Sequence, residues 1–244
     1  IKKFNRANFE PMKINEPLFK AILISRPNRF MTIVNLNGKI EKSHLADPGR
    51  LEEILMPGAE VYLIKAKNNS KRKTKYSTVM VNHNGKLISL VSTLPNRFIN
   101  DMICNKSLPI LKQYNIIRPE VTVENHRIDF LLENASGSKF YLEVKSVTYV
   151  KQGIAKFPDA VTLRGTNHVK LLTKLKKADI DTGIIFVCQR PDAELFTPMK
   201  ERDKSFSEAL KHAKIFGVKI WCITLNVGLK EINYIKQIPV KFDN

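Results

Sequence analysis

Over the first ninety residues, apolar and polar positions alternate in short bursts with a period of two, the spacing of half-buried strands. The bursts read as strands at Leu18–Ser25, Arg29–Leu36, Ile40–Leu45, Val61–Ala66, Ser77–Asn82 and Leu87–Val91. Asn37-Gly38 and Asn84-Gly85 fall between such runs, and Asn-Gly is the pair that a two-residue hairpin turn with two positive φ angles demands. Pro48-Gly49 and Pro57-Gly58 bracket Arg50–Met56, which reads as a short amphipathic turn. Short strands punctuated this way predict a small closed barrel of OB-like length, an architecture that often binds oligonucleotides.

From Leu94 onward the period lengthens. Asn96–Asn105 reads as a helix entered by Pro95. Two strands follow, Glu120–Leu132 and Phe140–Val147, joined by the polar loop 133–138. Thr166–Lys177 reads as a helix ending in Lys174, Lys176 and Lys177, which suit the negative end of its dipole. Gly183–Cys188 reads as a buried strand. Ser205–Gly217 reads as a helix with a capping box at Ser205 and Glu208, and Val218–Thr224 as another strand. The fold class predicted is mixed α/β. Residues 1–92 form an OB-like nucleic-acid-binding domain and residues 93–244 a mixed sheet flanked by helices, with the boundary near Val91–Pro95.

Composition narrows the function. Of 244 residues, 41 are Lys or Arg and 23 are Asp or Glu, a formal charge of +18. So one-signed a surface calls for an anionic partner, nucleic acid or an anionic membrane. The excess is shared, +10 over residues 1–90 and +8 over the rest, so it is not a basic tail. An apolar share of 43% supports a real core and excludes general disorder. No apolar run approaches the ~20 residues of a spanning helix, and the first ten residues do not read as a signal peptide. The cysteines Cys104, Cys188 and Cys222 are odd in number and widely spaced, as expected of buried thiols in a reducing cytoplasm. The expected location is therefore cytoplasmic, with no membrane partner.

Chemistry concentrates in the predicted strand pair. Alternation puts Ile128, Phe130 and Leu132 on one face of the first strand, and Arg127, Asp129 and Leu131 on the other. On the second, Leu142 and Val144 oppose Glu143 and Lys145. With the apolar faces in the core, Asp129, Glu143 and Lys145 converge. Two carboxylates can hold a hard cation such as Mg²⁺ or Mn²⁺ through oxygen, and a lysine can orient water or steady developing charge on a phosphate. Glu143-Val144-Lys145 is the only acid-x-Lys in the chain, but a tripeptide weighs little, and a salt bridge on a solvated sheet face is the plainer alternative.

Several strings in order resemble one family. They are Arg127-Ile128-Asp129-Phe130-Leu131-Leu132, Glu143-Val144-Lys145-Ser146-Val147-Thr148 and the run Phe157 to Gly165. Arg29-Phe30, His44-Leu45, Pro48-Gly49-Arg50-Leu51 and Gln189-Arg190-Pro191-Asp192-Ala193 join them. Together they are similar to the sugar fermentation stimulation protein A (SfsA) family over nearly the whole chain. The resemblance implies an N-terminal OB-like domain and a C-terminal domain with the PD-(D/E)XK restriction-endonuclease-like fold. It also implies DNA binding and a link to regulation of sugar catabolism. On it, Asp129 stands for the hairpin Asp of the nuclease motif, Glu143 and Lys145 for its E-x-K, and Asp101 for its helix acid, where Glu is usual. The resemblance thus gives Asp129, Glu143 and Asp101 as metal ligands. Asp47 departs from the family's pattern, and a carboxylate there argues against DNA contact by that side chain.

Nucleic-acid contacts are expected from Arg29, His44 and Arg50, from the basic run Lys71, Arg72, Lys73 and Lys75, and from Arg164 and His168 at a helix N-terminus, where phosphates bind. Of the barrel aromatics, only one facing outward would stack on bases. The expected function is a DNA-binding protein with a Mg²⁺-dependent (or Mn²⁺-dependent) phosphodiesterase site. The rivals are a non-catalytic DNA-binding regulator of sugar catabolism genes and an RNA-binding protein. No RRM or KH signature and no trusted helix-turn-helix appears. A dimer is possible.

Overall fold

The structure is a computed structural model, and it describes residues 10–66 and 73–242. A short strand β1 (Met12–Lys13) precedes a barrel of β2 (Leu18–Asn28), β3 (Met31–Leu36), β4 (Lys39–Leu45), β5 (Glu60–Lys65) and β6 (Tyr76–His83). The antiparallel order β4-β3-β2-β5-β6 is closed by a parallel pairing of β4 with β6, Ser43 to Tyr76 through Leu45 to Thr78. Leu23, Val34, Leu45, Leu63 and Val81 fill the interior. The two Asn-Gly pairs turn as their sequence demands, with φ of 51° and 84° at Asn37 and Gly38 and 52° and 76° at Asn84 and Gly85. This is the OB-like barrel that the alternation predicts. Arg50–Met56 holds the short turn expected of it and no regular helix. Leu51 takes φ of +53°, which breaks helical continuation, and a single turn then drives Leu51, Ile54 and Leu55 into the barrel core.

β7 (Lys86–Ser89) leaves the barrel and pairs with β15 (Lys219–Val227) through Leu87 and Val227. The barrel strands therefore continue into the C-terminal sheet, in the order β7-β15-β13-β10-β9-β8. Here β8 is Tyr114–Val123, β9 His126–Asn134, β10 Lys139–Val147 and β13 Asp181–Cys188. β10, β13 and β15 run parallel, whereas β8, β9 and β10 form an antiparallel meander. The single strand expected over Glu120–Leu132 is two, because Glu124, at φ of +52°, turns the chain before His126. β16 (Glu231–Ile238) lies beside β15 and carries β1. A small sheet joins β11 (Val150–Lys151), β12 (Ile154–Phe157) and β14 (Leu195–Pro198).

Helices cover both faces. α1 (Leu94–Cys104) lays Phe98, Ile99, Met102 and Ile103 on Phe130, Leu142 and Val144. Each such buried side chain contributes roughly 1.5–3 kcal/mol. On the other face, α2 (Leu163–Lys177) and α3 (Lys204–Ile215) set Val169, Leu172, Phe206 and Leu210 against Ile184 and Phe186. α2 starts earlier than its apolar stripe suggests, because Thr162 caps it by accepting from the Gly165 amide at 3.0 Å. α3 is capped by Asp203, which accepts from the Phe206 amide, and not by Ser205. Cys188 and Cys222 are buried as expected, but Cys104 is exposed at the end of α1. Among the described residues, no helix is long and apolar enough to cross a membrane.

Candidate active site

The site forms where two strands part. The β9–β10 ladder runs from Glu133 opposite Lys139 to Phe130 opposite Leu142 and stops there. Beyond it the Asp129 carboxylate takes the place of a ladder carbonyl: its Oδ2 accepts from the Val144 amide at 2.8 Å. Its Oδ1 accepts from Asn96 Nδ2 of α1 at 2.7 Å. The parting also breaks the expected alternation. Phe130 and Leu132 pack under α1, but Ile128 packs in the α2 cluster, across the sheet from them.

Glu143 and Lys145 project from β10 on the α2 side, next to β13. Glu143 is only 2% exposed. Its Oε1 accepts from Lys145 Nζ and from His168 Nδ1, the latter at 2.5 Å. Its Oε2 is buried with no hydrogen-bond partner. Burial alone would raise the Glu143 pKa, but Lys145 and His168 outweigh it and the net shift is downward. Asp129 goes the other way. Burial first, then the Glu143 charge, push it up to about 6 against the opposing Val144 amide, Lys145 and Asn96. The pKa values of neighbouring carboxylates are thus pushed in opposite directions, an arrangement associated with functional sites.

Oxygen donors of this kind suit a hard cation, and a carboxylate oxygen buried without a donor is the feature such an ion would satisfy. The ligand set, however, is smaller than expected. Among the described residues, no three His, Cys, Asp or Glu side chains group as a metal's ligands. Asp101 is exposed in a groove with Arg97, Met12 and Lys13, and is not gathered with Asp129 and Glu143. The side chain that α1 delivers is Asn96, five residues earlier; five residues along a helix is about 140° around it, so one face cannot carry both.

The expected nucleic-acid residues divide. Arg29, Arg50, Lys73, Lys75 and Arg164 are exposed, and His44 is half-buried on β4. Lys71 and Arg72 lie outside the described residues. His168 is not on the surface: it is 2% exposed and faces Glu143, because it shares the apolar side of α2 with Val169 and Leu172. That placement was legible, since His168 lies three residues after Gly165 and four before Leu172, positions that share one helical face. Phe30 is the barrel aromatic that faces out, at 54% exposure, while Phe19 and Tyr76 pack edge to face.

A second polar cluster joins barrel to sheet. Asp159 Oδ2 accepts from the Arg50 amide at 2.9 Å, and Asp47 Oδ1 from the Gly49 amide at 2.8 Å. Arg26 donates to the carbonyls of Gly49, Arg50 and Arg29. A cleft lined by Asp47, Gly49, Ser146, Lys156 and Asp159 opens here, one residue beyond Lys145.

Residues 24–90 match the family model described as the SfsA N-terminal OB domain, and residues 93–231 match the sugar fermentation stimulation protein RE domain. The chain is 39% identical over 229 residues to a sugar fermentation stimulation protein homolog of Clostridium acetobutylicum, covering 94% of this chain and 99% of that protein. The homolog of Clostridium novyi is 44% identical over 217 residues, covering 89% and 94% respectively. A solved structure of Pyrococcus furiosus SfsA in complex with Ca²⁺ superposes with a TM-score of 0.86 at 31% identity, covering 94% of this chain and 99% of that one. The chain belongs to the sugar fermentation stimulation protein (SfsA) family.

Proposed function

We propose that the protein binds DNA and carries a Mg²⁺-dependent (or Mn²⁺-dependent) phosphodiesterase site formed by Asp129, Glu143 and Lys145. One observation carries this reading: Glu143 Oε2 is buried without a donor while Asp129 stands beside it on the neighbouring strand. The Ca²⁺ complex of the P. furiosus relative supports it, since Ca²⁺ and Mg²⁺ share a demand for hard oxygen ligands. A cation held by Asp129 and Glu143 would polarise a phosphodiester and acidify a bound water. Asp129 is oriented for this by Val144 and Asn96. Lys145, with its side chain 14% exposed, supplies positive charge where an attacked phosphate would build negative charge. Arg50 and Arg164, both exposed, and Lys73 and Lys75 give the duplex backbone its counter-charges.

A second reading has one observation behind it. Because α1 offers the neutral Asn96 in place of an acid, the site has fewer ligands than a two-metal nuclease uses. That favours a DNA-binding regulator that retains the site without turnover. Plasmid nicking in Mg²⁺ or Mn²⁺ separates the two. Cleavage by the wild type that stops in Glu143→Ala supports the nuclease. Equal results for both proteins on duplex, single-stranded DNA and RNA would leave binding alone.

A further inference from the structure

Both donors to Glu143 converge on the same oxygen. Lys145 Nζ and His168 Nδ1 each bond Oε1, and Oε2 receives nothing. The carboxylate cannot exchange its two oxygens without breaking both bonds. Of the donors, His168 is the rigid one. It is 2% exposed, sits in the middle of α2 between the anchored Gly165 and Leu172, and its ring packs edge to face on His126 at 5.8 Å. Arg164 Nε lies 3.5 Å from His168 Nε2. A carboxylate oxygen only accepts, so Nδ1 carries the proton that faces Glu143.

We propose that His168 is a positioning residue for the cation site, holding Glu143 Oε1 so that Oε2 is the oxygen presented to the ion. The proposal rests on the metal-site reading above. His168 does not touch the ion or the phosphate. It fixes the rotation of a ligand that would otherwise turn about its last bond, and so lowers the ordering cost of binding. Partners of metal ligands act in this way, and their loss typically costs 10–100-fold in metal affinity. Lys145 alone would not serve, because a lysine ammonium on a four-carbon stem holds no fixed direction.

The test uses the full chain, stripped of metal with chelator and titrated with Mn²⁺, free ion being read by electron paramagnetic resonance. Wild type binds Mn²⁺ and Glu143→Gln does not. His168→Leu keeps the volume but has no donor, and weakens Mn²⁺ binding about 10–100-fold. His168→Asn, whose amide nitrogen reaches the place of Nδ1, recovers most of that loss. His168→Gln, whose amide reaches the place of Nε2, does not. A packing role would order these variants by shape, with Leu tolerated best. As a readout independent of affinity, the infrared carboxylate bands that appear on adding Ca²⁺ keep the wide splitting of single-oxygen coordination in wild type and narrow in His168→Leu. Mn²⁺ affinity in His168→Leu equal to that of wild type overturns the proposal and leaves the metal site standing. Absence of Mn²⁺ binding in wild type, or unchanged binding in Glu143→Gln, removes the metal site and the proposal with it. If His168→Leu loses its cooperative melting transition, the Asn and Gln variants decide, and equal affinities for those two overturn the proposal.

Discussion

Two pairs of carboxylates lie within the fold, and only one pair is left wanting a partner. At the junction of barrel and sheet, Asp47 and Asp159 each give an oxygen to a backbone amide, of Gly49 and Arg50. In the β9–β10 site, Glu143 keeps one oxygen buried and bare. Both regions are costly in the same way: burial pushes Asp47 and Asp129 each to about 6. Burial and a raised pKa therefore do not distinguish structure from chemistry here. What distinguishes them is that, of these four carboxylates, Glu143 alone has an oxygen both buried and without a partner.

Glu143→Gln should abolish Mn²⁺ binding and lower any metal-dependent cleavage by roughly 10³-fold, since a polarising cation is worth several kcal/mol. Asp47→Asn should leave both unchanged. Cleavage or metal affinity falling equally in the two variants would erase the distinction drawn between the regions.

The pH dependence of stability sharpens the comparison. A carboxyl whose folded pKa is about 6 and unfolded value near 3.8 holds its proton more tightly in the fold. The folded state then binds more protons between about pH 4 and 6, so each group's contribution to stability falls as pH rises through that window and is flat above it. The loss is on the order of 3 kcal/mol per group at neutral pH. Asp47→Asn and Asp129→Asn should each melt higher than wild type at pH 7 and converge on it below pH 4. Saturating Ca²⁺ should cancel the gain from Asp129→Asn and leave that from Asp47→Asn intact. Thermal melts across pH, with and without Ca²⁺, measure all of these.

Gly49→Ala probes the junction alone. A Cβ there would stand 2.4 Å from Asp159 Oδ2 and 2.9 Å from Asp47 Oδ1. The expected cost is about 1–3 kcal/mol, with Mn²⁺ affinity retained. Denaturant melts that match wild type would mean that the two carboxylates move aside freely. The smallest effect is expected at the surface. Arg164→Ala should weaken DNA binding across all sequences and lower the slope of log K against log salt by about 0.9, one phosphate's worth. An unchanged slope would take Arg164 off the DNA path.

Much of this was legible along the chain. Period-two alternation and two Asn-Gly pairs specified the barrel hairpins, because a turn with two positive φ angles admits few other residues. The strand carrying Glu143 and Lys145 also emerged with nearly its observed bounds, Phe140–Val147 against Lys139–Val147. The break at Glu124 was hidden, since no Gly or Pro marks it and a positive φ on Glu is set by the hairpin around it. Asp101 was misplaced for a similar reason. Spacing from a motif indicates which helix supplies a side chain, but the helix's rotation against the sheet selects the residue, and that rotation is set by Phe98, Ile99 and Met102 seeking the core.

By itself, then, the sequence determined the fold class, the family, the positive field and the strand that bears Glu143 and Lys145. These depend on periodicity, on charge count and on residues adjacent in the chain. Only the tertiary structure decided that the β9–β10 ladder stops at Phe130 and Leu142 and that Asn96 rather than Asp101 meets Asp129. It also decided that His168 turns inward to Glu143. Each of these depends on where two distant segments come to rest against one another, and packing of the whole core sets that position.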